Sequence, residues 1–221
     1  MGLDMYLYKA KKLDGLTAND ISNIDGYFSY SNRPVEYKEC TPVDWNGLDE
    51  DKVKKDFLPF YEAEYIERYY EWDKKKNYPY KSIMQQIASW RKANQVHNWF
   101  VKNIQNGIDN CGIYEVSKSQ LEDLLDRCKK IKEKCHLVDG KVHNGYRFDG
   151  EKEVPIIENG KVMTNINVAE ILLPSKDGFF FGSMEYDEYY MMDIDYTIEI
   201  IQKILKDTDF EKEMVMYSSS W

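Results

Sequence analysis

DGKVHNGYRFDGEKEVPIIENGKVMTNIN, residues Asp139 to Asn167, holds four turn dipeptides: Asp139-Gly140, Asn144-Gly145, Asp149-Gly150 and Asn159-Gly160. Asn-Gly and Asp-Gly supply the positive φ angles that type I′ hairpin turns demand, and the runs between them, such as KVH, YRF, VPII and KVM, suit strands. The stretch predicts a β-meander. Outward from it, Leu3 to Lys9 (LDMYLYK) alternates apolar and polar side chains like a half-buried strand, and Met214 to Trp221 (MVMYSSSW) reads as a closing strand.

Beyond Pro79 three helices are expected. In Ser82 to Ile104, the residues Ile83, Gln86, Trp90, Ala93, His97, Phe100, Val101 and Ile104 share one face at 100° per residue, and Asn106-Gly107 stops the run. After a short strand at Ile113 to Val116, Ser117 and Gln120 form a capping box for a helix whose seam is Leu121, Leu124, Leu125, Cys128, Ile131 and Cys135. Asp187 to Lys206 is the last long helix, with Asp187 as N-cap or first-turn acid. Pro174 to Gly178 reads as a turn and Phe179 to Phe181 as a short strand. Leu16 to Pro79 is turn-rich, with a helix across Asp49 to Tyr70 that Pro59 must break or kink. The order of elements gives an α+β fold: a mainly antiparallel sheet with three or more helices packed on one side. Residues 1–221 read as a single domain, with 139–167 as the β-meander insertion.

Composition narrows function. The 221 residues are 43% hydrophobic and 31% charged, which excludes a chain disordered by composition. A formal net charge of −9 opposes the counterion-releasing grip of a nucleic-acid binder, so no direct nucleic-acid partner is expected, and a basic protein fits better. No run reaches the ~18 to 20 apolar residues of a membrane span. The opening MGLDMYLYKAKK lacks a basic leader followed by an apolar run, so no membrane partner and a cytoplasmic location are expected. Cys40, Cys111, Cys128 and Cys135 show no CxxC spacing and read as reduced thiols.

Familiar catalytic signatures are missing from the sequence, including GxxxxGK, GxGxxG, GxSxG and HExxH, so no catalytic residue is assigned. His97 falls on the apolar face of its helix and reads as a hydrogen-bonded core histidine. Cys128 and Cys135 with His136 lack a fourth ligand for zinc, and neither a metal nor a cofactor is expected. The opposite side of the Ser82 to Ile104 helix carries Arg91, Asn94, Gln95 and Asn98, with Trp99 among them. Arg91, Asn94, Asn98 and Trp99 could together hold an anionic, planar small molecule such as a nucleotide. The bland alternative places Trp99 beneath a loop and Arg91 in a surface salt bridge.

The last helix is the more informative. From Asp177 to Glu199 the chain has seven carboxylates, four tyrosines and no lysine or arginine, a composition that sets this stretch apart. Tyr190, Met191, Ile194, Ile198, Ile201 and Leu205 form one apolar stripe, the side that docks on the sheet. Tyr189, Met192, Tyr196 and Ile200 form a second, flanked by Glu188, Asp195 and Glu199. Tyrosine and methionine rimmed by charge is the composition of a protein interface, and burial beneath other parts of the chain accounts for it equally. A homodimer built on this stripe is a third reading. Carboxylates along one helical edge do not surround a hard cation, so Mg²⁺ or Ca²⁺ is not expected there.

The segments MGLDMYLYK, SWRKANQVHNWFV, NCGIYEVSKSQLEDLLDRCKKI, LLPSKDGFFFGSMEYDEYYMMDIDYTIEIIQKIL and the terminal SSSW resemble a family of small uncharacterised proteins encoded by bacteriophages and prophages. The resemblance covers both ends and most of the chain after Ser82. It implies a viral accessory protein acting in a bacterial cytoplasm and carries over no activity. With that context, the expected function is non-enzymatic binding of a host or defence-system macromolecule through Glu188, Tyr189, Met192, Asp195, Tyr196 and Glu199. The alternative is a small-molecule binder or an enzyme that uses Arg91, Asn94, Asn98 and Trp99.

Overall fold

A computed structural model describes residues 2–12, 15–31, 66–69, 79–178 and 181–221. Its central sheet has four antiparallel strands, β1 (Asp4–Lys11), β4 (Gln85–Arg91), β5 (Tyr114–Val116) and β8 (Glu213–Ser220), in the order β4-β1-β8-β5. Opening and closing strands therefore pair at its middle, Leu7 opposite Tyr217 and Met5 opposite Ser219. Alternation then puts Leu3, Met5, Leu7, Val215 and Tyr217 on one face, in the main core. The other face presents Ala10, Met214 and Met216.

Helices lie on both faces. The main core is filled by α2 (Asn94–Asn103), α3 (Lys118–Lys134), α4 (Ile166–Leu172) and α5 (Glu188–Asp207). Ala18 and Ile21 of α1 (Ala18–Ser31) join the smaller cluster around Met214 and Met216. This corrects the one-sided packing expected from the sequence, because β8 is apolar in both of its alternating sets and each set needs cover. The signal for α1 is a capping box: Thr17 Oγ1 accepts from the Asp20 N–H at 3.3 Å, and Asp20 Oδ2 accepts from the Thr17 N–H at 2.9 Å. Asp25 Oδ1 of the same helix accepts from the N–H of Ile83 and the hydroxyl of Ser82, holding α1 to the chain entering β4.

The expected Ser82 to Ile104 helix is instead β4 followed by α2. Leu7 faces Ala88 while Tyr8 faces Gln86, so Ile87 is an extra residue that shifts the alternation and leaves Ala88 and Trp90 inward. That spacing imitates a helical period over one turn, and pairing with β1 overrides it. Lys92, at φ 62°, ends the strand before α2 begins. Two other helices agree with expectation: Ser117 and Gln120 close the capping box of α3, and Asp187 Oδ1 caps α5 by accepting from the N–H of Tyr189 and Tyr190, whereas α1 and α4 answer to no sequence expectation. Most of the expected Asp49 to Tyr70 helix lies outside the described residues, and its described part, Ile66–Tyr69, is strand β2, paired with β3 (Pro79–Ser82). Of Phe179 to Phe181 only Phe181 is described, and it is not in a strand.

Residues 139–167 are β-structure of a simpler kind than a meander, a single hairpin of β6 (Leu137–Phe148) and β7 (Glu153–Met163) followed by the start of α4. Of the four turn dipeptides only Asp149-Gly150 reverses the chain. Asn144-Gly145 sits at a bulge between His143 and Tyr146, while Gly140 and Gly160 face each other within the ladder. A Cβ on Gly140 would stand 2.5 Å from Val162 Cγ2, and one on Gly160 would stand 2.6 Å from Val142 Cγ2. The two glycines are there to let valines close over the ribbon.

α5 sends Tyr190, Met191, Ile194, Thr197, Ile201 and Ile204 into the core, leaving Met192 62% exposed. Ile194→Ala should therefore lower unfolding free energy in urea by roughly 2–5 kcal/mol. Met192→Ala should stay within about 0.5 kcal/mol of the parent. Comparable losses from both would mean that the helix is covered on both flanks.

Candidate functional site

The outward stripe of α5 divides along its length. Tyr189 and Met192, near the N-terminal end, are 66% and 62% exposed. Further along, Tyr196 sets its ring edge-on to Trp90 with centroids 5.9 Å apart, and Ile200 is half-buried. Trp90 is itself held by a hydrogen bond from Nε1 to Thr197 Oγ1 at 3.0 Å. Among the flanking acids Asp195 already accepts from Lys132 Nζ at 2.6 Å, Glu188 is half-buried, and Glu199 is exposed. The most open side chains of the expected surface are thus Tyr189 and Met192, with Glu188 half-buried beside them and Glu199 exposed further along.

Two clefts adjoin it. The larger, about 800 Å³, lies between the hairpin and the Gly182 to Tyr189 segment, and its carboxylates are Glu158, Asp177, Glu185, Asp187 and Glu188. The smaller, about 280 Å³, is bounded by Arg91, Lys92, Gln95, Met192 and Asp193, and both clefts share Ser183, Glu185 and Tyr189. Their common wall is fixed from behind. Asn94 Nδ2 donates to the carbonyls of Phe181 and Ser183 at 3.3 and 2.8 Å, and Asn94 Oδ1 accepts from the Lys176 N–H at 3.0 Å. Asn98 Nδ2 donates to Pro174 O at 2.9 Å, and the Tyr190 hydroxyl donates to Leu173 O at 2.7 Å. Gly182, at φ 98°, backs onto Lys92 so closely that a Cβ there would stand 3.0 Å from the lysine Cβ. At the hairpin base Val162 bridges Asp187, and the Met163 N–H donates to Tyr186 O.

These contacts decide the fate of the alternative ligand set. Asn94, Asn98 and Trp99 are buried on the helix side expected to be wet, and Asn94, the Asn98 Nδ2 and the Trp99 Nε1 are already hydrogen-bonded within the protein. Trp99 Nε1 donates to Asp123 Oδ2 at 3.1 Å, and the same oxygen accepts from Arg127 Nε at 2.7 Å. Arg91 lies on β4 rather than on the helix, and its guanidinium stands 3.5 Å from Asp4. Of the four residues, only Arg91 lines either of these two clefts; the other three hold the Leu173 to Tyr186 segment and α3 in place.

His97 is a core histidine, as its position on the apolar face suggested. Nδ1 meets the Tyr217 hydroxyl at 2.7 Å and Nε2 meets Asp109 Oδ2 at 3.0 Å, while Phe100 stacks on Tyr217 with centroids 3.9 Å apart. Lys176 Nζ and Trp221 Nε1 also donate to Asp109. Burial pushes the His97 pKa below its ordinary value despite the carboxylate beside it. Burial alone would raise Asp109, but its hydrogen bonds from His97, Lys176 and Trp221 together hold it low. Cys128 and Cys135 are buried, and Cys135 Sγ approaches Asn165 O at 3.5 Å. Among the described residues no group of three His, Cys, Asp or Glu side chains is placed to hold a metal ion, and no helix is long and apolar enough to cross a membrane.

One site residue escaped the sequence reading. Asp193 projects from α5 into the smaller cleft, where Gln95 Nε2 donates to its Oδ2 at 3.0 Å. Burial pushes its carboxyl up to about 6, an effect that the Gln95 hydrogen bond only partly offsets. Nothing in the sequence distinguished it from the other acids, because the difference lies in burial against β4 and α2.

Two groups consequently tie stability to pH in opposite senses. Folded His97 refuses a proton that the unfolded chain accepts near the ordinary value of about 6.5, so its contribution is complete above that pH and falls as pH drops. Asp193, with its folded pKa raised, gains stability as pH falls through about 6. His97→Gln removes the first effect and leaves Asp193 in place, although it also takes away the His97 contact that helps hold Asp109 low. The difference in urea midpoint between parent and His97→Gln should therefore shrink between about pH 7 and about pH 5; a difference independent of pH would show that His97 does not titrate differently on folding.

Compared with models of known protein families, with curated proteins and with solved structures, the chain finds no match. What it does has to come from this geometry.

Proposed function

We propose that this chain is a phage accessory protein of non-enzymatic type that binds a basic surface of a host or defence-system macromolecule, a protein rather than nucleic acid, in the bacterial cytoplasm. The phage context rests on the sequence resemblance. The binding surface is Glu188, Tyr189, Met192, Asp195, Tyr196 and Glu199, with its centre at the N-terminal half of α5. The observation that carries this reading is the exposure of Tyr189 and Met192 on a helix whose opposite flank is buried. The tyrosine supplies contact area with few rotamers to freeze, the methionine an adaptable apolar contact, and carboxylates around them select a cationic partner and speed its arrival.

Pairing with a second copy fits the same surface less well, because Glu188 and Glu199 of each chain would meet their own kind in a chain of net charge −9. Light scattering should accordingly report a monomer. Against lysate from a phage-sensitive bacterium, the protein should retain a basic partner in a salt-sensitive manner. Reversing Glu188, Asp195 and Glu199 to lysine should weaken that complex by at least about tenfold, given about 0.2–1 kcal/mol for each exposed pair and added repulsion. Undiminished binding by the triple variant would overturn this surface.

A further inference from the structure

Asp193, on α5, sits in the smaller cleft without an ion pair among the described residues. Its Oδ2 takes the Gln95 amide, and among the described residues Oδ1 has no hydrogen-bond partner and the side chain no ion pair. The neighbouring acids differ. Asp187 takes two backbone N–H groups at the helix start, and Asp195 takes Lys132. The cations of the cleft do not serve Asp193 either, since Arg91 turns its guanidinium to Asp4 and no bond joins Lys92 to the aspartate. A half-buried carboxylate with one oxygen open is undercompensated, and a cation delivered to it recovers what burial takes away. The mouth of the cleft is formed by Tyr189 and Met192, an aromatic face and a thioether suited to the flat, weakly hydrated guanidinium group. At about 280 Å³ the space is below that of a typical small-molecule pocket and suits a single side chain.

We propose that this cleft receives one arginine side chain of the basic partner, with its guanidinium on Asp193 Oδ1 and its stem between Tyr189 and Met192. The inference rests on the α5 surface reading and supplies its anchor. It also makes recognition depend on pH. The titratable and charged groups facing the cleft beside Asp193 are Arg91 and Lys92 at the end of β4, Glu185 and Asp187 before α5, and Tyr189 and Tyr190 on it, and burial brings the Asp193 carboxyl up to about 6.

The test is fluorescence anisotropy at low ionic strength with a tetra-arginine peptide labelled on its α-amino group with a pH-insensitive dye and amidated at its C-terminus, so that its charge is constant across the range. Wild-type affinity should fall about tenfold from about pH 7.5 to about pH 5 as Asp193 takes up its proton. Asp193→Asn, which keeps an acceptor for Gln95, should bind at the low-pH level throughout, and Met192→Lys, at an exposed position, should block the mouth. If peptide binds but its affinity is flat with pH and unaltered in Asp193→Asn, the cleft is rejected while the surface reading stands. Should Asp193→Asn unfold, the wild-type pH profile and Met192→Lys decide between the same two outcomes. No binding by wild type at either pH would overturn the cleft and the basic-partner reading together.

Discussion

The described residues between Leu173 and Tyr186 form neither helix nor strand, so their backbone polar groups need partners from elsewhere. Asn94 and Asn98 supply them from inside the core. Asn94 alone satisfies two carbonyls and one N–H, and each of these, stranded by an apolar replacement, would cost about 1–3 kcal/mol. This is why a helix face can be rich in asparagine and still be buried: the amides act as a template on which irregular chain is laid. Both clefts take their shared wall from that chain, and α5 takes its starting point from it.

Asp187 carries the arrangement onward. Its side chain caps α5 while its backbone bridges Val162, so the first turn of the helix and the base of the hairpin are fixed by the same residue. An isolated two-stranded ribbon is marginal in water, and the Met163 to Tyr186 bond and the valines folded over Gly140 and Gly160 give this one its support. The consequence is that Glu158 and Asn159 stand opposite Glu185 and Glu188 across a cleft, although nothing in the spacing of those residues brings them together.

Elements were legible wherever local chemistry and packing agreed. Ser117 with Gln120, Asp187 before the Tyr190 stripe, and the alternation of Leu3, Met5 and Leu7 each declare an element that the fold then uses. The α+β class follows from them. Misreading came where a tertiary contact decided. Ile83, Gln86, Trp90 and Ala93 match a helical period, and only the pairing of β4 with β1 and the bulge at Ile87 show why Gln86 and Trp90 belong to a strand. Gly140 and Gly160 read as turns because Asn-Gly and Asp-Gly prefer turns; opposed in a ladder, they serve side-chain clearance instead. The second stripe of Tyr189 and Met192 is visible in the sequence, but its exposure, like the burial of Asn94, Asn98 and Trp99, requires knowing what lies over those residues.

The acids of α5 are tolerated for different reasons, and the differences separate structure from recognition. Asp187 and Glu188 lie at the positive end of the helix dipole, where negative charge is favourable by roughly 0.3–1 kcal/mol each. Asp195 has Lys132, an exposed pair of small net value. Asp193 has neither the dipole nor a cation, and it lies against Trp90's neighbour Arg91 and Gln95 rather than in open water. Folding alone would be served as well by a neutral side chain that accepts from Gln95. A charge kept where the fold gains nothing from it is better explained by a ligand, and its position beside the most exposed tyrosine and methionine of the helix gives that ligand its direction of approach.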